Sequence, residues 1–400
     1  MRLAQWFWPP FMLLACGTPL LAQRPVTRQE AVAEALAHGA TATLAATDTA
    51  LVFGELLAAR AYPNPIVTAG YTKDSPQRHA ALDLPLDFPW LRGPRIGAAA
   101  AQRTAASYRF HLGLASARFD AEVAYTRALA AQARARLARR NADDADSLLA
   151  LARLRREAGD ASDLDVDLAV INAGELANAA LDDSLAALAA LLDLQRIMGL
   201  RADQPAISLA DTLEQPDSLG TADVTARTLS VAAAEADLEA AERNLSLARG
   251  SRFGAGSLTM GVDQQAPVTD QPGLLPAIGI ALPLPLFNRN GGAVASAEAA
   301  RDRAALLVEI TRRESAAAVA RAWRERQAAL ARVARDRLLE RSAARVAQRS
   351  LTAYAEGAVA LPIVLETHRQ AREVTLRLVD DLAAALTADA ALRLLSTPVP

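Results

Sequence analysis

Gly93 and Gly159 stand 66 positions apart, as do Gly291 and Gly357, and each pair brackets one uninterrupted helical pattern, Pro94 to Ala158 and Gly292 to Glu356. At 1.5 Å per residue each helix runs for about 100 Å. No compact domain of this size holds such a helix, so the chain must build something elongated. Along the second stretch Val319, Trp323, Leu330 and Val333 recur at spacings of 4, 7 and 3, with Arg and Glu between them, which is coiled-coil-like packing. Composition agrees: 52% of residues are apolar but only 4% aromatic, Ala dominates, and a single Lys (Lys73) stands against 42 Arg. Strong helix formers packed through small side chains are favoured over large globular cores. The net charge of -2 removes any general case for nucleic acid.

The two stretches belong to a duplication. Leu84-Pro85-Leu86 recurs as Leu282-Pro283-Leu284, Gly93 as Gly291 and Gly159 as Gly357, always displaced by 198 residues. Before each long helix lie two segments of strand character, at about 64–73 and 80–88 and again at about 257–264 and 276–286, with Asp74-Ser75-Pro76 as the first turn and Gln265 to Leu274 as a surface loop. The expected fold is mainly α with a small β part. It has two tandem repeats, each a β-strand pair plus a long coiled-coil helical hairpin.

The return legs place the chain ends. In the first repeat, 23–200, a return helix at 162–199 covers roughly 57 Å. A Pro-containing linker at 201–220 follows, and a helix from Thr221 to Gly250 adds roughly 45 Å. In the second repeat, 221–400, the return helix is 362–395, of about 50 Å. The N-terminal stretch Thr27 to Arg60, opened by the capping box Thr27-x-x-Glu30, reads as one helix of similar length. Four helices are expected at every level of the rod, with the linker and both chain ends forming an equatorial belt.

Residues 1–22 read as a signal peptide, an apolar stretch ending at Ala22. A second reading stays open, because Leu13-Leu14-Ala15-Cys16 resembles a lipobox that would lipidate Cys16. Being the only Cys, it excludes an internal disulfide or a Cys-based zinc site. No later apolar run approaches the roughly 20 residues of a membrane-spanning helix. The strands are instead about as long as those of a transmembrane barrel, and four of them cannot close one, since barrels need at least eight. A trimer would supply a 12-stranded β-barrel wide enough for a channel, continued by an α-helical periplasmic tube.

The order of strand pair, very long helix, Gly-containing tip and broken return leg, given twice, resembles the TolC family of outer-membrane efflux proteins. Leu282-Pro283-Leu284-Pro285-Leu286-Phe287-Asn288-Arg289-Asn290-Gly291 is similar to the strand-to-helix passage of the cobalt-zinc-cadmium cation-efflux type, and Ala61-Tyr62-Pro63-Asn64-Pro65 to that type's entry into the first strand. The first repeat departs from the pattern, reading Leu84-Pro85-Leu86-Asp87-Phe88-Pro89-Trp90-Leu91-Arg92-Gly93, and the chain is short for the family. The resemblance implies a homotrimer in the bacterial cell outer membrane and its lipid, with a large periplasmic portion. It also implies a periplasmic membrane-fusion adaptor and an inner-membrane resistance-nodulation-division pump as partners. Divalent heavy-metal cations are then the expected cargo, and organic compounds stay open. A non-transporting periplasmic coiled-coil scaffold or adaptor is the alternative, though an adaptor would carry one hairpin, and a scaffold has no use for four amphipathic strands.

Function in such a chain resides at the hairpin tips. Gly159 and Gly357 can end helices in the left-handed conformation, and Ser162 and Pro362 can start the next, so these four mark candidate adaptor-docking tips. Asp160, Asp163, Asp165, Asp167 and Glu356 are candidates for the periplasmic gate, where one inward carboxylate repeated by symmetry makes a cation-attracting ring. The Asp residues are equally suited to complementing a helix dipole. His38, His79, His111 and His368 are scattered, so neither a stored metal nor another cofactor is expected. Arg301, Arg303, Arg312, Arg313, Arg321, Arg324 and Arg326 read as a solvated helix face with Glu partners. No nucleophile motif, phosphate loop or paired acid and base stands out, so the chain is not expected to be an enzyme.

Overall fold

The computed structural model describes residues 23–73, 78–216, 228–252, 254–264, 273–397 and 399. In chain order the elements are β1 (Arg24–Val26), α1 (Arg28–His38), α2 (Ala40–Arg60), β2 (Ile66–Tyr71), β3 (Arg78–Leu86), α3 (Pro89–Glu157), α4 (Asp163–Ile197), β4 (Ile207–Leu209), α5 (Leu229–Gly250), β5 (Gly256–Gln264), β6 (Leu274–Ala281), α6 (Gly291–Ala355) and α7 (Leu361–Leu395). The expected signal peptide with Cys16, the turn at Asp74-Ser75-Pro76, most of the loop after Gln264 and the end of the 201–220 linker lie outside the described residues.

The two longest helices are α3, with 69 residues, and α6, with 65. Each therefore extends about 100 Å. Near its start α3 packs on α2 and α5, where Ala101 and Ala105 meet Ala236 and Ala240. Farther along it packs on α4 and α7, while α6 packs first on α5 and then on α7. Ala at the contacts removes side-chain bulk, which lets long helices lie close without large cores. The start of α3 differs from expectation. Pro89, rather than Pro94, opens it, at a first-turn position where the missing N–H costs nothing, and Pro94 sits inside the helix. Asp87, buried just before this start, receives Arg95 at 2.7 Å.

The N-terminal stretch is two helices instead of one. Gly39 leaves the helical region at φ -64°, ψ 145°, and a Cβ there would meet the Ala35 carbonyl at 2.2 Å and that of Ile197 at 2.9 Å. Close approach to the end of α4 thus fixes the break. By length and composition Arg28–Arg60 is the one stretch among the described residues that could cross a membrane, where sequence had suggested none. It is broken at Gly39 and packs along α3.

The belt holds a feature that sequence did not suggest, a parallel pairing of β1 with β4 from Arg24↔Ile207 to Val26↔Leu209. The buried Tyr125 of α3 donates its hydroxyl to the Val26 carbonyl at 2.8 Å. Gln195, fully buried, donates to the carbonyls of Arg201 and Gln204 and accepts from the Ala206 N–H, so one amide folds the whole linker start. Nearby, Arg326 and Asp389 form a buried ion pair at 2.8 Å. Arg326 therefore leaves the solvated arginine face expected of it. Arg393 extends this pair to Glu122 of α3, so the charges link the two hairpins through compensated partners.

The remaining strands form one antiparallel sheet in the order β2-β3-β5-β6, with Leu84↔Leu258 joining the two strand pairs. Pro283 and Pro285 fall beyond β6, which ends at Ala281, as residues that cannot donate to a ladder should. Both outer strands are edges within the chain, and Val67, Leu274, Ile278 and Ile280 on them are exposed.

Candidate functional site

At the far end of the helices from the sheet, α3 turns into α4 and α6 into α7. Each turn is built the same way in its backbone. Gly159 at φ 85° and Gly357 at φ 77° occupy the left-handed region that a side chain resists. The N–H of Asp160 donates to the Arg155 carbonyl and that of Gly159 to Arg156, while Ala358 and Gly357 repeat the pattern on Ala353 and Tyr354. These paired bonds satisfy carbonyls that a helix end leaves free.

The starts of the return helices differ. Ser162 caps α4 in a full capping box: its Oγ accepts from the Asp165 N–H at 3.2 Å, and the Asp165 carboxylate accepts from the Ser162 N–H at 3.0 Å. Its neighbour Asp163 pairs with Arg156. At the second tip Ala360 offers no side-chain cap, and Pro362 lies exposed in the first turn of α7. What holds that tip is burial: Tyr354, Leu361 and Val364 pack with Leu148 and Ala152 of α3 and Ala169 of α4.

Arg155 ties the two tips together. Its guanidinium donates to the Tyr354 carbonyl and, at 3.3 Å, to the Asp160 carbonyl, and it lies 4.6 Å from the centre of the Tyr354 ring. That stacking is a cation–π contact of ordinary geometry. The Tyr354 hydroxyl is buried without a hydrogen-bond partner among the described residues, and desolvation raises its pKa above the ordinary phenol value. Sequence reasoning named neither Arg155 nor Tyr354 as a functional residue. The available signal was a large aromatic three residues before a tip glycine in an Ala-rich, aromatic-poor helix.

The candidate carboxylates are thus together at one end but not equivalent. Asp165 is engaged by Ser162 and Asp163 by Arg156, whereas the side chains of Asp160, Asp167 and Glu356 are exposed. Gly159, Ser162, Gly357 and Pro362 are all exposed at the tips. Cys16 lies outside the described residues. Among the described residues no group of three or more His, Cys, Asp or Glu is placed to hold a metal ion.

Comparison with known proteins gives these features a context. Residues 222–396 match the sequence model of the family described as Outer membrane efflux protein. No curated protein matches the chain. Among solved structures, VceC from Vibrio cholerae, an outer membrane protein, superposes with a TM-score of 0.76 at 18% identity, covering 93% of this chain and 96% of that one. The Campylobacter jejuni CmeC outer membrane channel gives 0.79 at 12% identity over 92% and 85%, and CusC gives 0.77 at 17% over 93% and 92%. The chain therefore has the fold of outer-membrane channels along nearly its whole length.

Proposed function

From the efflux-family match in the second half of the chain and the channel fold of the whole, we propose that this protein is the outer-membrane duct of a tripartite efflux system. One observation carries the reading: a four-stranded sheet with two open, apolar edges is joined to paired helices of about 100 Å. Open edges of this kind must be covered, and a transmembrane barrel is the arrangement that leaves none in lipid. Three copies related by symmetry, edge β2 against edge β6, supply twelve strands and a lumen. The helices then continue that lumen into the periplasm as a tube whose tips are its inner end.

In this reading the 198-residue duplication makes three chains behave as six similar hairpins around the tube. Export begins with removal of residues 1–22 or lipidation at Cys16. A periplasmic adaptor seats on the tips at Gly159, Ser162, Gly357 and Pro362, and an inner-membrane pump of the resistance-nodulation-division class spends the energy. The duct is passive. Divalent heavy-metal cations are the proposed cargo, supported by the Leu282 to Gly291 passage and by the excess of carboxylates at the first tip. Asp160 and Asp167, exposed and without an ion-pair partner among the described residues, are the best placed to line a cation-attracting constriction. Asp163 and Asp165, held by Arg156 and Ser162, act first on the geometry of that tip.

Reconstitution of the purified protein into planar bilayers tests this proposal. Cation-selective conductance is expected, and the Asp160→Asn, Asp167→Asn double variant should lower that selectivity. Recovery as soluble material without conductance would sink the duct. Conductance with unchanged selectivity would remove only the two aspartates.

A further inference from the structure

Between the tips and the belt, α3, α4, α6 and α7 enclose a half-open cavity of about 290 Å³. Each helix sends polar groups into it: Asn141 and Asp144 from α3, Asn172 from α4, Gln348 from α6, and His368 and Arg372 from α7. Leucines of α3, α6 and α7 complete the wall. The volume is near the lower end for small-molecule pockets. The proposed duct makes no use of it.

The polar groups are unspent in a particular way. The guanidinium of Arg372 is half-buried and has no ion-pair partner among the described residues, and burial lowers its pKa. At the cavity's open side the exposed Asp144 carboxylate also lacks an ion-pair partner among the described residues, so cation and anion line one space without meeting. His368 feels both charges. Desolvation, with Arg372 adding to it, pushes its pKa down and keeps the ring neutral. Three side-chain amides add both donors and acceptors around these charges.

We propose that this cavity binds a small zwitterion of the free amino-acid class. The ligand's carboxylate is held by Arg372, its ammonium group by Asp144, and its side chain lies on the leucine wall. A simple anion would leave Asp144 unanswered, and a simple cation would leave Arg372 unanswered. Because the site draws on all four helices, an occupant would pin one hairpin to the other.

Calorimetric titration of the purified full-length protein in detergent tests this, with L-leucine as the probe. 4-Methylpentanoate serves as its analogue lacking the ammonium group, and isopentylamine as the one lacking the carboxylate. Saturable leucine binding near one per chain is expected, at least about tenfold tighter than either analogue, as one lost charge-assisted hydrogen bond implies. Arg372→Gln should abolish it, while Arg369→Gln, outside the cavity, should retain it. Asn172→Leu, which fills the space without touching Arg372, should also abolish it, with helical circular dichroism confirming that each variant is folded. The proposal is overturned if leucine does not bind the wild-type protein, if 4-methylpentanoate or isopentylamine binds as well as leucine does, or if folded Arg372→Gln binds it normally.

Discussion

The two hairpin tips share a backbone turn and differ in what holds it. The first tip is specified locally: Ser162 and Asp165 cap α4 within four residues, and Asp163 reaches only to Arg156. The second has no cap and depends on Arg155 reaching across from the first hairpin and on burial of Tyr354, Leu361 and Val364. A locally coded turn can act as a fixed post. A turn set by its neighbour can be released by moving that neighbour, which is the property a gate requires.

Substitutions can break or sharpen this contrast. The largest effect is expected from Leu361→Ala, which removes a side chain only 1% exposed. A loss of about 2–5 kcal/mol is typical for such cavities, and it should appear as faster amide hydrogen exchange at the start of α7, with α4 little changed. Arg155→Ala comes next. Losing two hydrogen bonds from a charged group should cost about 2 kcal/mol and speed exchange at both tips, the second more than the first. Equal acceleration at the two tips would remove the asymmetry. Ser162→Ala should cost about 1 kcal/mol, the usual worth of an N-cap, and its effect should stay within the first turn of α4. The smallest change is expected for Tyr354→Phe. Its hydroxyl is buried without a partner among the described residues, so removing it should cost no protection. A loss would mean that the hydroxyl has an acceptor.

The same division separates what could be read in the sequence from what could not. Gly159 and Gly357 announced both tips because only a left-handed residue ends a helix that way, and Ser162 announced its cap. The strand pairs were legible from their length and their flanking turns. The β1–β4 pairing was not, because three-residue strands carry no periodicity and this one depends on Tyr125 and Gln195, which are distant in sequence. The break at Gly39 was also hidden: only a residue without a side chain fits there, between the Ala35 and Ile197 carbonyls, the second of them on another helix. Pro94 looked like a helix start because Pro suits that position, yet Pro89 serves it instead. At the site, carboxylates were visible as composition, but which of them are already engaged was decided by contacts such as Arg156 with Asp163. Arg326 was misplaced for the same reason, since its buried partner Asp389 lies on α7.

In the proposed trimer the open edges β2 and β6 meet between copies of the chain. In a Cys16→Ser background, cysteines introduced along the two edges, Val67→Cys or Ala69→Cys with Ile278→Cys or Ile280→Cys, measure it directly after mild oxidation in native membranes. A covalent ladder ending at the trimer for at least one pair, and absent from every single variant, is the predicted result. A ladder that stops at the monomer or dimer for all pairs, in protein that is folded and membrane-bound, would contradict the account.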